Sequence, residues 1–352
     1  MQYSDWGERS ARWSGIRSET VDLGGTSAHY LVAEGAGSPP GAPVHLVVPN
    51  PAGSAALLID VLRTLREHGT VIAVDLPGSM TGHTDLRGRR STGIEPDAYS
   101  LRAFASALEL DRVVVHGWSA GAMIALLFAD LAPERVAGLV LVAPALPPPL
   151  SAREARWWRT IGRAGLTVAA PLARAMVRVV GSRVMATKLR VLSDPAASSG
   201  SRWDVGGGAL VLPSELTRLA ADELTAARPK QLGEGITAMA STMSAMFVRR
   251  RRVQDAMRGT SAPTLLLWGD DDRLIVRAWI DHWIALRPDW SLSVFETVGH
   301  TLPLEAPARY VDAVGHWMAR WPGSTEHGSD ADPRTQPWPP RASSRPPHAE
   351  PR

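Results

Sequence analysis

The sequence predicts an α/β fold in which a mostly parallel, twisted sheet is flanked by helices. Short, wholly apolar stretches rich in Val, Ile and Leu alternate with longer segments of helical spacing along much of the chain. Such strands are typical of parallel sheets, because helices bury both faces of the sheet. The 352 residues are 45% hydrophobic and 21% charged, which suits a globular protein with a sizeable core.

The strands and helices follow a loose N-terminal arm, residues 1–15. Gly24-Gly25 is a two-residue hairpin signal and joins the first two strands. The predicted strands are Ile16–Leu23, Thr26–Glu34, Val44–Val48, Thr70–Val74, Val113–His116, Leu139–Val142, Thr264–Trp268 and Ser291–Glu296. The predicted helices are Ser54–His68, Pro96–Leu108, the run after Ser119, Val276–Leu286 and Ala306–Trp321.

This alternation stops at Pro144 and resumes at Thr264. We therefore expect two core segments, residues 16–145 and 259–321, separated by an insertion at 146–258. The insertion is predicted to be mainly helical and to form a lid over the carboxyl ends of the strands. Within it, Glu234–Met257 is predicted to be one helix. Residues 322–352 are rich in Pro, Ser and charge, and are predicted to be disordered.

The composition excludes several classes of protein. The chain has no cysteine, so it has no disulfide, no thiolate metal site and no cysteine nucleophile. No apolar signal segment is visible at the N-terminus. The longest apolar stretch, residues 164–180, is interrupted by Pro171, Arg174 and Arg178, and is not a membrane span. We therefore expect a cytoplasmic protein.

The charge is distributed unevenly along the chain. Between Ser151 and Arg258 there are 18 Lys or Arg and 8 Asp or Glu, a surplus of ten positive charges within a chain of net charge +3. This surplus could attract an anionic substrate, an acyl carrier protein or an anionic membrane surface. The alternative is plain solvation, and Arg249–Arg252 is expected to be a solvated helix face. Nucleic acid is not an expected partner, because basic and aromatic residues do not interleave.

The segment Val113–Gly121 places a serine at a sharp turn. A β-branched strand ends in Gly-x-Ser-x-Gly, and the helix-forming run 122–129 follows at once. Such a turn holds Ser119 in a strained backbone conformation with its hydroxyl exposed above the sheet. The chain passes so close to itself that Gly117 and Gly121 must be very small. The alternative is a glycine-rich turn with an idle serine.

A serine hydroxyl needs a base in contact and a third group that holds the base. The candidate base is His300, which lies between the last predicted strand and the last helix. His116 borders the turn but should point sideways into the sheet. His83, on a loop, is a weaker rival.

The candidate third group is an aspartate at the end of a strand. The buried strand Thr264–Trp268 is followed by Gly269 and by three consecutive aspartates, residues 270–272. A solvated turn or a metal site would also explain them. No further converging metal ligands are found nearby, so no metal is predicted. The chain order Ser, Asp, His is the order of one specific fold.

These motifs resemble the α/β-hydrolase superfamily across roughly residues 16–321. The matching pieces are the turn at Ser119, the acid turn 268–272, the base loop 299–305, and Asp75-Leu76-Pro77-Gly78 after an early strand. In the family's acid turn the acid is the third residue after the glycine, which selects Asp272, with Asp270 as second choice. The resemblance implies that Asp272 holds His300, that His300 deprotonates Ser119, and that no cofactor is needed.

The resemblance also implies an oxyanion hole, a pair of N–H donors for the negatively charged oxygen that forms during catalysis. Ala120 should supply one N–H. Family members commonly carry His-Gly-x at the other donor, where this chain reads Pro49-Asn50-Pro51. Pro51 has no N–H to give, so Asn50 is the preferred donor.

A serine at this turn makes aspartate-dependent epoxide hydrolases and haloalkane dehalogenases poor matches. What remains is acyl transfer to water. The predicted enzyme is a carboxylesterase that acts on a small or lipid-like ester, thioester or lactone. Relatives with the same three residues run C–C hydrolysis, perhydrolysis or cofactor-free oxygenation, and others are non-catalytic receptors. Candidate substrate contacts are Trp118, Trp157, Met239, Met243 and Met246, although the methionines could simply pack a helix on the core.

Overall fold

The computed structural model describes residues 11–38, 41–51, 53–84, 92–176, 204–205, 208–209 and 214–320. The predicted tail at 322–352, the first ten residues of the predicted arm and a large part of the insertion lie outside the described residues. The expectations for those segments therefore stay predictions.

An eight-stranded sheet forms the centre of the molecule, in the order β1-β2-β4-β3-β5-β6-β9-β10. Strands β1 and β2 pair antiparallel, as do β2 and β4, and the other pairs are parallel. The predicted mostly parallel α/β sheet is confirmed. The strands are β1 (Ile16–Asp22), β2 (Ser27–Ala33), β3 (His45–Val48), β4 (Val71–Val74), β5 (Val113–Trp118), β6 (Val136–Val142), β9 (Thr264–Gly269) and β10 (Ser291–Phe295), with a two-residue pair, β7 (Asp204–Val205) and β8 (Gly208–Ala209), in the insertion.

Helices cover both faces of the sheet. On one face lie Ile94–Ala107, Ala120–Leu131, Arg251–Gly259 and Arg277–Leu286. On the other face lie the 3-10 turn Ala55–Leu58 and the helices Ile59–Leu65, Leu302–Glu305 and Pro307–Met318. This layering explains the strand composition, because all seven residues of β6 are buried, whereas the edge strand β10 exposes Ser291 and Val294.

The insertion leaves the sheet after β6 and returns at β9. A continuous helical stretch, called here the outer helix (residues 152–176), begins at the capping box of Ser151 and Glu154 and contains a π turn at Trp158–Gly162. The helices Ser214–Ala226 and Pro229–Phe247 follow. Among the residues that the structure describes, no helix is both long and apolar enough to cross a membrane.

The prediction of one helix over Glu234–Met257 is wrong. The helix Pro229–Phe247 ends where the N–H groups of Val248 and Arg249 both donate to the Ser244 carbonyl, and a new helix begins at Arg251. The intervening Arg250 turns inward and donates to the Pro148 carbonyl. Its burial lowers the pKa of the Arg250 guanidinium. The run Arg249–Arg252 is thus only partly a solvated face, and its last member pairs with Asp130 at 2.7 Å.

Buried polar contacts join the insertion to loops at the carboxyl ends of β3 and β4. The carboxylate of Glu223 accepts hydrogen bonds from the Ser54 hydroxyl at 2.8 and 2.9 Å and lies 3.5 Å from His83 Nε2. Ser54 precedes the 3-10 turn but does not cap it. Asp75 Oδ1 instead accepts from Ala55 N at 2.7 Å. Burial opposes ionisation of Asp75, but hydrogen bonds from His29 and the Ala55 backbone, with the charges of His29 and His83, keep its pKa below the usual range.

A chain of three buried side chains runs from β3 over β5 to the helix Pro307–Met318. His45 Nδ1 lies 2.9 Å from His116 Nε2, and His116 Nδ1 is hydrogen-bonded to the Tyr310 hydroxyl. The far side of the His45 ring faces the His68 carbonyl at 3.4 Å. Burial lowers the pKa of His45 to about 4, lowers that of His116 well below its ordinary value, and raises that of Tyr310. Both imidazoles are therefore neutral at pH 7. His116 does not point sideways into the sheet, because its ring contacts Tyr310 on the covering helix as well as His45 on the neighbouring strand.

These two histidines should make stability depend on pH. In the unfolded chain each has a pKa of about 6.5. Above that pH both histidines are neutral in the folded and in the unfolded chain, and the free energy of unfolding has its full value. As the pH falls from about 6.5 towards 4, the two histidines bind protons in the unfolded chain but not in the folded protein. The free energy of unfolding should then fall by up to about 1.4 kcal/mol per pH unit for each histidine.

Urea unfolding at several pH values between 7 and 4 measures this slope. His116→Gln should reduce the slope, whatever its effect on stability at pH 7, because one of the two proton-binding sites of the unfolded chain is gone. Equal slopes for the variant and the parent protein would contradict the account.

Candidate active site

The turn between β5 and the helix Ala120–Leu131 forces Ser119 into a left-handed backbone conformation, with φ of +55° and ψ of −116°. A Cβ atom on Gly117 would lie 2.5 Å from Ala122 Cα, and one on Gly121 would lie 2.3 Å from the Val48 carbonyl oxygen. The expectation that both positions must be very small is confirmed. The strain at Ser119, of order 1–3 kcal/mol for such a residue, is held in place by this close packing.

Hydrogen bonds fix the turn against the neighbouring strand. Ser119 N donates to the Val142 carbonyl at 2.9 Å, and Ala145 N donates to the Ser119 carbonyl at 3.0 Å. The chain therefore leaves β6 directly beside the serine, and the insertion begins at the same edge of the sheet.

The structure brings together the three residues that the sequence selected. His300 Nε2 lies 2.9 Å from Ser119 Oγ, and His300 Nδ1 lies 2.8 Å from Asp272 Oδ2. The three residues follow the carboxyl ends of β5, β10 and β9, which meet at one edge of the sheet. Ser119 is partly exposed, whereas the side chains of His300 and Asp272 are almost fully buried.

Asp272 is oriented by the turn that carries it. Its Oδ1 accepts from Leu274 N at 2.8 Å and from Ile275 N at 2.9 Å, which leaves Oδ2 directed at the imidazole. The second choice, Asp270, is exposed and accepts from Thr297 N at 2.7 Å. In the part of the chain that the structure describes, no three His, Asp or Glu side chains converge as metal ligands.

Two side chains hold the loop that carries His300, and this role was not predicted from the sequence for either of them. The carboxylate of Glu305 accepts from Gly299 N at 2.8 Å, from Thr301 N at 3.1 Å and from the Thr301 hydroxyl. The Trp118 indole, predicted as a substrate contact, is buried and donates to the His300 carbonyl at 3.1 Å. The sequence contained one indication of this role, which is that Glu305 follows the candidate base by only five residues.

The backbone after β3 lies against the serine turn. A Cβ atom on Gly121 would lie 2.8 Å from the Pro49 carbonyl oxygen. Asn50, the preferred donor, accepts at its carbonyl from Gly53 N at 3.1 Å, and Met80 N donates to the Pro51 carbonyl at 2.9 Å. Ala120 begins the helix after the serine. Both expected N–H donors therefore belong to backbone segments that are tied down locally.

The remaining predicted substrate contacts lie in different environments. Met246 is buried in the core, so it packs its helix on the core, which was the alternative to a substrate contact. Met239 and Met243 are 41% and 37% exposed, and Trp157 is 46% exposed. The neighbour of Trp157, Trp158, instead stacks on Phe247 with ring centroids 4.5 Å apart. Of the rival histidines, His116 bonds His45 and Tyr310, and His83 lies near Glu223.

Solved structures of several proteins share this architecture at low sequence identity. A candidate lipase from Acinetobacter baumannii is 19% identical and matches 91% of this chain and 96% of its own, with a TM-score of 0.62. A membrane phospholipase A described as a bacterial virulence factor is 22% identical over 89% and 90% of the two chains, with a TM-score of 0.61. A thermophilic esterase from Thermogutta terrifontis is 19% identical over 86% and 98%, with a TM-score of 0.60. These likenesses establish the fold.

A search of curated protein sequences finds no match. The sequence profile described as "Alpha/beta hydrolase family" matches residues 40–313, a span that includes the serine turn, the acid turn and the base loop. With the eight-stranded sheet and its helical layers, this match places the chain: it belongs to the alpha/beta hydrolase family.

Proposed function

We propose that this protein is a serine hydrolase that cleaves a carboxylic ester, thioester or lactone of a small or lipid-like substrate through an acyl-serine intermediate. The observation that carries the proposal is the pair of hydrogen bonds from Ser119 to His300 and from His300 to Asp272, at 2.9 and 2.8 Å. This spacing allows the imidazole to take the hydroxyl proton as the oxygen attacks a carbonyl carbon.

The first half of the reaction forms the acyl-enzyme. Ser119 Oγ attacks the ester carbonyl while its proton passes to His300 Nε2. The N–H groups of Ala120 and Asn50 then stabilise the negative oxygen of the tetrahedral intermediate. Its collapse expels the alcohol, which takes the proton from His300.

In the second half, His300 removes a proton from water, and the hydroxide attacks the acyl-serine. The acid leaves and the serine recovers its proton. Asp272 contributes by accepting a hydrogen bond from His300 Nδ1–H, which keeps the lone pair on Nε2 and stabilises the imidazolium whenever it forms. This scheme uses no cofactor.

We also propose that the insertion acts as a lid. The Glu223 contact to Ser54 ties it to the loop after β3, and Ser241 Oγ accepts from Ile94 N at 3.2 Å. Met239 and Met243, on the same insertion helix as Ser241, remain candidates for an apolar acyl pocket.

Ser119→Ala should abolish turnover of p-nitrophenyl esters, with kcat lower by four orders of magnitude or so, and leave the melting temperature nearly unchanged. A fluorophosphonate probe should label the parent protein at Ser119 and spare the variant, as read by mass spectrometry. Turnover of esters of graded chain length then separates short-chain from lipid-like specificity.

An adduct on another residue, or full activity in the variant, would reject the proposal. Labelling of Ser119 without turnover of any ester would point to C–C hydrolysis, perhydrolysis or oxygenation by the same residues. Neither labelling nor turnover would indicate a receptor.

The two aspartates of the acid turn give a matched pair. Asp272→Asn should lower kcat by roughly 10³–10⁴-fold, because a neutral amide neither fixes the Nδ1–H tautomer of His300 nor stabilises its imidazolium. Asp270→Asn, two residues away and bonded to the Thr297 backbone, should change kcat by less than about tenfold. Steady-state kinetics with one ester decides the matter, and the reverse ranking would mean that the acid is misassigned.

The donor after β3 is tested by removing its N–H alone. Asn50→Pro should lower kcat by about a hundredfold or more, because an oxyanion-hole donor is lost. Asn50→Ala, which keeps the N–H, should cost less if the backbone alone donates, and about the same if the side-chain amide takes part. An Asn50→Pro variant with the parent kcat would place the donor elsewhere.

A further inference from the structure

The outward face of the outer helix is apolar. Five large side chains on it are 46–64% exposed, and they make up five of the twelve large exposed hydrophobic residues in the part of the chain that the structure describes. They are Trp157, Ile161, Val168, Leu172 and Met176, called here the outer stripe. Most large apolar side chains of the described residues are buried, so a concentration of this kind on one helix indicates a binding surface.

The spacing of the outer stripe gives it a regular shape. Its members are separated by four, seven, four and four residues, which keeps them on one side of a helix. The stripe extends over about 28 Å at 1.5 Å per residue. It is therefore an apolar ridge about as long as a twenty-residue helix.

The inward face of the same helix is already occupied. Trp158 stacks on Phe247 with an angle of 17° between the rings, and Gly162 lies so close that a Cβ atom there would be 2.4 Å from the Trp158 ring. The aromatic contacts continue from Phe247 to Trp279. The helix is thus anchored at Trp158 and Gly162, and the outer stripe is left exposed.

Four exposed arginines lie in the N-terminal half of the outer helix, outside the outer stripe. Arg153, Arg156, Arg159 and Arg163 follow one another at intervals of three, three and four residues, and all four are exposed. Glu154 is the single acidic residue of the outer helix, and it is engaged in the capping box with Ser151. Whatever covers the stripe must therefore offer an apolar surface beside negative charge.

We propose that the outer helix docks this protein, in the plane of the membrane, on a bilayer that contains anionic phospholipids. The outer stripe enters the boundary between headgroups and acyl chains, and the arginines of the same helix attract the anionic headgroups. A second copy of this chain fits less well, because it brings four more arginines and one engaged carboxylate to the same contact. The proposal concerns binding and does not depend on the function proposed for Ser119.

A single fluorescent label can report on the stripe, because the chain has no cysteine of its own. Ile161→Cys, labelled with a polarity-sensitive fluorophore, is mixed with vesicles of phosphatidylcholine and phosphatidylglycerol in equal parts. The label should shift to the blue and gain intensity. The same label on Val294→Cys, which lies on the edge strand β10 and is 40% exposed, should not respond. Vesicles of phosphatidylcholine alone should give a much weaker response.

Variants separate the charge from the apolar contact in vesicle co-sedimentation. The triple change Arg153→Gln, Arg156→Gln and Arg163→Gln should weaken binding to the anionic vesicles on the order of 100-fold, at roughly fivefold per arginine. The matched control, Arg102→Gln with Arg258→Gln and Arg320→Gln, makes the same change in net charge elsewhere and should weaken binding by less than about tenfold. Val168→Ser with Leu172→Ser should abolish binding, whereas Val294→Ser should not affect it.

Several outcomes would overturn the proposal. These are equal binding to both kinds of vesicle, no binding at low salt, and no difference between the arginine variant and its control. A label at residue 161 that is already shielded without vesicles would mean that the protein covers the stripe itself. Shielding that grows with protein concentration, together with dimers in sedimentation velocity, would mean that a second copy does.

Discussion

Two glycines allow three stretches of backbone to meet at Ser119, and the rest of the site is arranged around that contact. At Gly121 the helix after the serine rests on the carbonyl groups that end β3, and at Gly117 the end of β5 rests on the same helix. Because there is no space for a side chain at either position, the serine cannot relax from its left-handed conformation. The same contact fixes the distance between the two backbone segments that carry the expected oxyanion donors.

The polar groups around this contact are buried but satisfied. Asp272 has no exposed side-chain surface and accepts from two backbone N–H groups and one imidazole. Glu305, which is partly exposed, holds the loop of His300 by accepting from Gly299 N and Thr301 N. A buried carboxylate is costly when unpaired, so these three hydrogen bonds are what allow Asp272 to lie inside an otherwise apolar region. Rigidity here comes from hydrogen bonds that backbone N–H groups donate to side-chain carboxylates.

The sequence was informative where a single local constraint acts. Continuous apolar runs marked the parallel strands, and the glycine pair marked the strained serine, because each pattern has one physical cause. The break in the helix near Arg250 was missed because the carbonyl that receives its guanidinium, that of Pro148, is about a hundred residues away. The buried contact of Glu223 with Ser54 and the chain from His45 to Tyr310 were missed for the same reason. Hydrogen bonds between residues that are distant in the chain produce no periodic pattern in the sequence.

The separation of the site residues along the chain also affects how the protein folds during synthesis. Ser119 and His300 are 181 residues apart, and they meet only when the loop after β10, the edge strand, has docked on the sheet. A chain synthesised from its N-terminus can form the strained turn early, yet that turn stays without its imidazole until nearly the whole core has been made. Parallel pairing between distant strands is also slow, because loop closure precedes any gain from contact. The reactivity proposed for Ser119 is therefore tied to completion of the fold, because a nascent or half-folded chain has no imidazole beside this hydroxyl.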